Sequence, residues 1–329
     1  MRKLFFQHWF LAALIAVLAV GFSFAGPLEG FANGFPRRAL VAVVLFLMSW
    51  SLDSTALIRA VRRPQAAGLG IAVNLIVVPF AAWLVARLLA PPLDLGLMLT
   101  AAIPCTLASA AVWTRRAGGN DAVALIVTMV TNFGCFLVTP LLLWLMAGAN
   151  VRGSMSASEL VWRLFLIAVL PMLAGQLLRL VRPLARFATR HTPAISTLCQ
   201  LGILTMVLIG AVQSGLKLGD PTTLDTMTAA SWVMMLAAVA VVHLTALYLG
   251  FGLGRTIGLE RGDWIAVGFA GSQKTLMIGL DLALVLNVGI GILPMIAYHA
   301  VQLITDTLVA DRLAAEQKSS RRRRGGVAS

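Results

Sequence analysis

Runs of about twenty apolar residues, parted by short basic clusters, recur along this chain, and no other feature constrains its fold as tightly. A bilayer core needs roughly 20 apolar residues per helix. In lipid, a helix satisfies its own backbone hydrogen bonds. Of the 329 residues, 59% are hydrophobic and 12% charged. A soluble domain carries about twice that share of charge, so there is too little polar surface here to cover a soluble globule.

The runs place spans at 9–28, 39–57, 66–89, 94–115, 120–147, 160–181, 193–214, 230–253, 263–286 and 289–311. The sequence therefore predicts an all-α membrane protein of ten transmembrane helices. It forms a single polytopic domain over 1–329 whose residues 316–329 are a basic cytoplasmic tail. Arg2 and Lys3 before an apolar stretch look like a signal peptide, yet Ser23-Phe24-Ala25 is a poor cleavage site. With so many spans following, an uncleaved first helix is expected.

The Lys/Arg bias sets the direction. With the N-terminus cytoplasmic, the inner segments hold Arg2, Lys3, Arg59, Arg62, Arg63, Arg115, Arg116, Arg179, Arg182, Arg186, Arg190, Arg255, Arg261, Arg312, Lys318 and Arg321–Arg324, which is 19. The outer segments hold Arg37, Arg38, Arg87, Arg152, Arg163 and Lys217, which is 6. This split predicts a multi-pass protein of the plasma or inner membrane with both ends inside. The net charge of +13 is thereby accounted for, and nucleic acid is not an expected partner. The arginine tail could also touch anionic lipid heads.

Ten spans divide into five plus five, about 1–150 and 155–315, and an odd repeat inserts upside down relative to its copy. That is the inverted-repeat plan of many secondary transporters. Two spans, each the fourth of its half, carry a polar interruption. Span four has Pro104, which removes a donor and clashes with the preceding turn, with Thr106 and Ser109 placed to bond the freed carbonyls. Span nine has Gly271, expected to weaken the helix, followed by Ser272, Gln273, Lys274 and Thr275. At 1.5 Å per residue, Lys274 lies roughly 17 Å deep and Pro104 roughly 15 Å deep, from opposite sides. Both reach the bilayer centre, where irregular backbone is tolerated only against protein or a wet cavity. Half-helix ends there offer partial charges to ions and solutes.

A mid-membrane Lys is costly and takes a partner or water. Donors from Lys274 are expected to reach Thr128, Asn132, Ser109 or freed carbonyls. Thr128 and Asn132 share a helix face. Asn74, His299 and Gln302 are also deep; His299 alone reads equally as a satisfied core residue. Cys105, Cys135 and Cys199 all lie in apolar runs, with no disulfide or zinc spacing.

Several pieces together resemble the bile acid:sodium symporter superfamily, in the branch containing the seventh human paralogue and its bacterial relatives. They are Pro104-Cys105-Thr106 with Ser109, Gly118-Gly119-Asn120-Asp121, Val138-Thr139-Pro140, Gly271-Ser272-Gln273-Lys274-Thr275-Leu276, and Leu293-Pro294 with Tyr298-His299 and Gln302-Leu303. The resemblance implies a panel of spans one, two, six and seven beside a six-helix core holding the crossed spans four and nine. It implies Ser109, Thr128 and Asn132 near one sodium ion, and Asn74 and Gln273 near a second. The sequence departs from that pattern at Ala110, where an Asn is expected, and at Phe269, where an acidic residue is expected. Lys274 follows Gln273 where the symporters have Asn. Losing an anionic ligand while gaining an ammonium makes a sodium site less favourable.

The leading functional expectation is a secondary transporter of a small organic solute, an organic anion among the candidates, coupled to sodium or protons. Its partners are that solute and the lipid bilayer. No cofactor is implied beyond the sodium ion, and the sequence specifies no oligomeric state. A nucleotide-binding loop is lacking. Arsenite export, through Cys105, and a regulatory membrane protein without transport are the alternatives. An intramembrane enzyme is disfavoured, for the chain has no paired intramembrane carboxylates, no His-Glu-x-x-His and no Gly-x-Ser-x-Gly.

Overall fold

The computed structural model describes residues 2–53, 64–148, 155–219 and 227–325. Among these the chain is helical. The elements are α1 (Arg2–Ser23), α2 (Ala25–Gly34), α3 (Arg37–Ser51), α4 (Pro64–Ala86), α5 (Leu93–Ala102), α6 (Ser109–Arg116) and α7 (Asp121–Ala147). There follow α8 (Ala157–Leu178), α9 (Arg182–Arg190), α10 (Thr192–Leu218), α11 (Ala229–Thr256), α12 (Arg261–Ser272), α13 (Leu276–Val285), a 3-10 turn (Gly289–Ile292) and α14 (Leu293–Gly325). Six helices among the described residues are long and apolar enough to cross a membrane, or seven if α1 and α2 count as one bent span. Arg59, Arg62, Arg63 and Arg152, the end of span two at 54–57 and the last four residues of the tail lie outside the described residues.

Prolines explain most departures from straight helices. Span one does not continue to residue 28: it stops at Ser23, and α2 leaves it at 105°. Pro27 in α2 would set its ring against the carbonyl of Ser23, four residues back, were the helix continuous. In α4 and α8 the same conflict, from Pro79 and Pro171, is absorbed by a wider π turn at Val73–Val77 and at Phe165–Val169. The extra residue lets Val78 N donate to Val73 O, five residues back. Asn74 sits in that widened turn. Polar caps start other helices: Asn120 accepts from Ala122 N at α7, and Ser156 with Glu159 forms a capping box at α8.

The described helices pack in two groups. In one, α10 lies against α1, α2 and α3, and α8 against α3. In the other, α12 lies against α4, α7 and α11, while α14 lies against α11 and α5. Small residues permit the closest approach: a Cβ on Gly250 of α11 would stand 2.9 Å from the Cα of Gly268 in α12. The groups meet where α8 touches α7 and where α13 and the 3-10 turn touch α10.

One expectation about the breaks is corrected, and two helices are defined further. Gly271 does not open the break in span nine; α12 runs through to Ser272, and Gly271 serves close packing, since a Cβ there would stand 2.7 Å from a Val73 methyl. Arg163, counted at the outer end of span six, lies within α8 and pairs with Asp281. The helix that carries span ten continues beyond residue 311, for α14 runs to Gly325.

Candidate functional site

Four half-helix ends meet in the second group. The chain is interrupted over residues 103–108, between α5 and α6, and over 273–275, between α12 and α13. The two interruptions bond to each other: Thr275 N–H donates to Pro104 O at 2.9 Å. Ser272, Gln273, Lys274, Asn74, Thr128 and Asn132 are all buried. Backbone groups freed by a break in such a place must find partners within the protein, and side chains supply them.

Asn74 is one such partner. Its Nδ2 donates to the carbonyls of Ala270 (3.3 Å), Gly271 (3.1 Å) and Gln273 (2.9 Å), which caps the C-terminal end of α12. Gln302 of α14 is another. Its Oε1 accepts from Lys274 N at 3.0 Å and its Nε2 donates to Lys274 O at 3.1 Å, as a neighbouring strand would. That Nε2 also faces His299 Nδ1 at 2.9 Å, so His299 is a satisfied neighbour of the break. Asn132 Nδ2 donates to Cys105 O and Thr128 O, each at 2.8 Å, while its Oδ1 has no protein partner. Thr128 Oγ1 donates to Thr106 O at 3.1 Å.

Lys274 is 2% exposed. Its Nζ donates to Asn74 O (2.7 Å), Asn74 Oδ1 (3.1 Å) and Ile103 O (2.9 Å). The expected contacts to Thr128, Asn132 and Ser109 are therefore replaced by Asn74 and one freed carbonyl. Ile103 is the C-cap of α5, so the negative end of that helix faces the ammonium. A charge taken out of water without such compensation would be prohibitively costly. Both oxygen atoms of Asn74 are thus committed to the chain's own Lys274.

Thr106 and Ser109 do not bond freed carbonyls. Thr106 Oγ1 donates to Gln273 Oε1 at 2.6 Å and accepts from Ala110 N, near the start of α6. Ser109 Oγ reaches Gln273 Oε1 at 2.9 Å and Thr106 Oγ1 at 2.8 Å. Ser109 thus shares the Gln273 oxygen with Thr106. Gln273 Nε2 in turn donates to Asp306 Oδ2 at 2.5 Å, and the other Asp306 oxygen faces His243 Nε2 at 2.9 Å. Tyr298 Oη donates to Ser272 O at 2.8 Å.

Sequence reading missed Asp306 and His243, both fully buried. An Asp in an apolar run was itself the available signal. The expected acidic position, Phe269, is instead a buried ring packed edge-on to Phe251.

The sequence profile of the SBF-like CPA transporter family matches residues 8–315. The chain belongs to this family. It is thereby a member of the bile acid:sodium symporter superfamily, a family of transporters and not of enzymes. Among its relatives, the chain is 31% identical over 234 residues to an uncharacterized Pseudomonas aeruginosa protein, PA2026, covering 68% of this chain and 66% of that one. It is 23% identical over 320 residues to sodium/bile acid cotransporter 7-A of Xenopus laevis, covering 92% and 90%. It is 24% identical over 323 residues to sodium/bile acid cotransporter 7 of Mus musculus, covering 92% and 91%. Family membership and the apolar helices make it a multi-pass membrane protein and a transporter of this family.

Proposed function

We propose that this protein is a secondary transporter of a small organic solute. In this reading ten spans form two inverted five-helix repeats, with both termini cytoplasmic. Access alternates around the joined breaks of spans four and nine. The observation that carries it is the junction itself, in which Lys274 Nζ bonds Asn74 and Ile103 while Thr275 N–H bonds Pro104 O. Half-helix ends held at the centre of a membrane bundle by side chains, not by continuous helix, can exchange those partners for a solute or ion.

Lys274 takes the place of one coupling cation in this reading. Three oxygen atoms gather around its ammonium as they would around a bound ion. Ser109, Thr106, Gln273, Ser272, Thr128 and Asn132 are proposed to line the path of the solute and of any further sodium ion. The unpartnered Oδ1 of Asn132 is the acceptor open to either.

The test is flux of a panel of organic anions into liposomes holding the purified protein, under a sodium gradient, a proton gradient or neither. Wild-type protein is expected to carry at least one solute. Lys274→Met is expected to abolish that flux while the protein still expresses and folds. Undiminished flux with unchanged ion dependence in the variant would reject the role of Lys274. No flux of any solute by the wild type under any gradient would favour a regulatory protein.

A further inference from the structure

The polar contacts at the joined breaks join segments of the second group of helices and the chain that links them. Arg163 and Asp281 differ. Arg163 lies on α8, which packs on α3 of the first group, and Asp281 on α13, which follows α12 of the second group and touches α5 and α14 there as well as α3 and α10 of the first. Their contact is a fork: Arg163 Nη2 donates to both carboxylate oxygens at 2.9 Å, and Nε to Oδ2 at 3.2 Å. The side chains are 11% and 7% exposed.

Position matters as much as geometry. Arg163 stands six residues into α8 and Asp281 four residues from the end of α13. Each is therefore roughly 6–9 Å from a helix end at 1.5 Å per residue. At the same end of the bundle a cleft separates the groups. It is lined by Asn33, Arg37, Gln213 and Lys217 on one side and Asn287 and Ile292 on the other. This seam is thus polar and can take up water when the groups part.

We propose that Arg163 and Asp281 form a latch that holds this end of the bundle shut and parts when the second group swings away. The proposal rests on the transport reading above, in which this end is the outer one. A forked Arg–carboxylate pair fixes both distance and orientation. Burial costs each ion hydration, and their attraction largely offsets that loss. Once the groups separate, water restores the hydration, so shut and open states stay close enough in free energy to interchange. A pair internal to one group could not respond to such a motion.

The experiment places a reporter thiol at the seam by Ile292→Cys; Ile292 is 1% exposed and faces α10, where a Cβ on Gly210 would stand 3.3 Å from its methyl. A membrane-impermeant maleimide is added outside proteoliposomes, and labelling of that position is followed by mass spectrometry. Asp281→Asn is expected to speed labelling at least tenfold. The charge exchange Arg163→Asp with Asp281→Arg is expected to bring the rate back toward the parent's. Where Asp281→Asn folds poorly, Arg163→Gln with Asp281→Asn removes both charges and strands neither, and it too should label faster. Labelling unchanged in the folded fraction of both neutralised proteins would overturn the latch. Faster labelling in a protein that carries no solute would sustain the latch and overturn the transport reading instead.

Discussion

The Nζ of Lys274 lies 2.9 Å from the carbonyl oxygen of Ile103, the C-cap of α5, and so binds the second break to the first. Backbone bonding between Thr275 and Pro104 adds a second tie beside it. Each break is thereby the other's cap.

Replacing Lys274 by Arg is expected to fail as a conservative change. The guanidinium is planar and longer, and the space is filled by Asn74 and the α5 terminus. Lys274→Met should lower stability by roughly 1–3 kcal/mol for each stranded carbonyl, and Lys274→Arg by at least as much. Thermal unfolding in detergent measures both; an Arg variant as stable as wild type would contradict the tight oxygen cage.

Gln302→Leu removes the acceptor for Lys274 N–H and the donor for Lys274 O in one step. Two buried backbone groups lose their partners, for a total of about 2–6 kcal/mol. Gln302→Glu retains the acceptor and should fall between wild type and Leu. Denaturation midpoints test that order, and Leu equal to wild type would show that Gln302 does not span the break.

Asp306→Asn keeps the side-chain shape but offers one acceptor where Gln273 and His243 now each have an oxygen. Gln273 then loses its fixed orientation toward Thr106 and Ser109. The expected result is at least a tenfold drop in solute flux, equivalent to about 1.4 kcal/mol, with expression retained. Full flux in Asp306→Asn would remove Asp306 from the working site.

Topology provides an independent check. A tag at either terminus is expected to be protected from proteases added outside intact cells. Cleavage of either tag from outside would contradict the even span count and the charge bias behind it.

Much of the site was legible because its residues break the apolar pattern. Pro104, Ser272, Gln273 and Lys274 stand out in runs otherwise suited to lipid. Partners were less legible. Asn74 is 200 residues from Lys274, and nothing local distinguishes it from Asn132 as the acceptor. The same holds for Asp306: the carboxylate that meets Gln273 comes from α14, 33 residues on, and not from its neighbours in sequence.

The sequence by itself determined that the chain is helical, spans a membrane and is interrupted near Pro104 and Gln273. Those properties depend on transfer free energies and backbone donors, which are local to each segment. Only the tertiary structure decided which side chain completes each interrupted helix, that Arg163 finds Asp281 across two groups, and that Gly271 packs rather than breaks. Such pairings depend on helix rotation and mutual approach, fixed when distant segments pack, and no single segment encodes them.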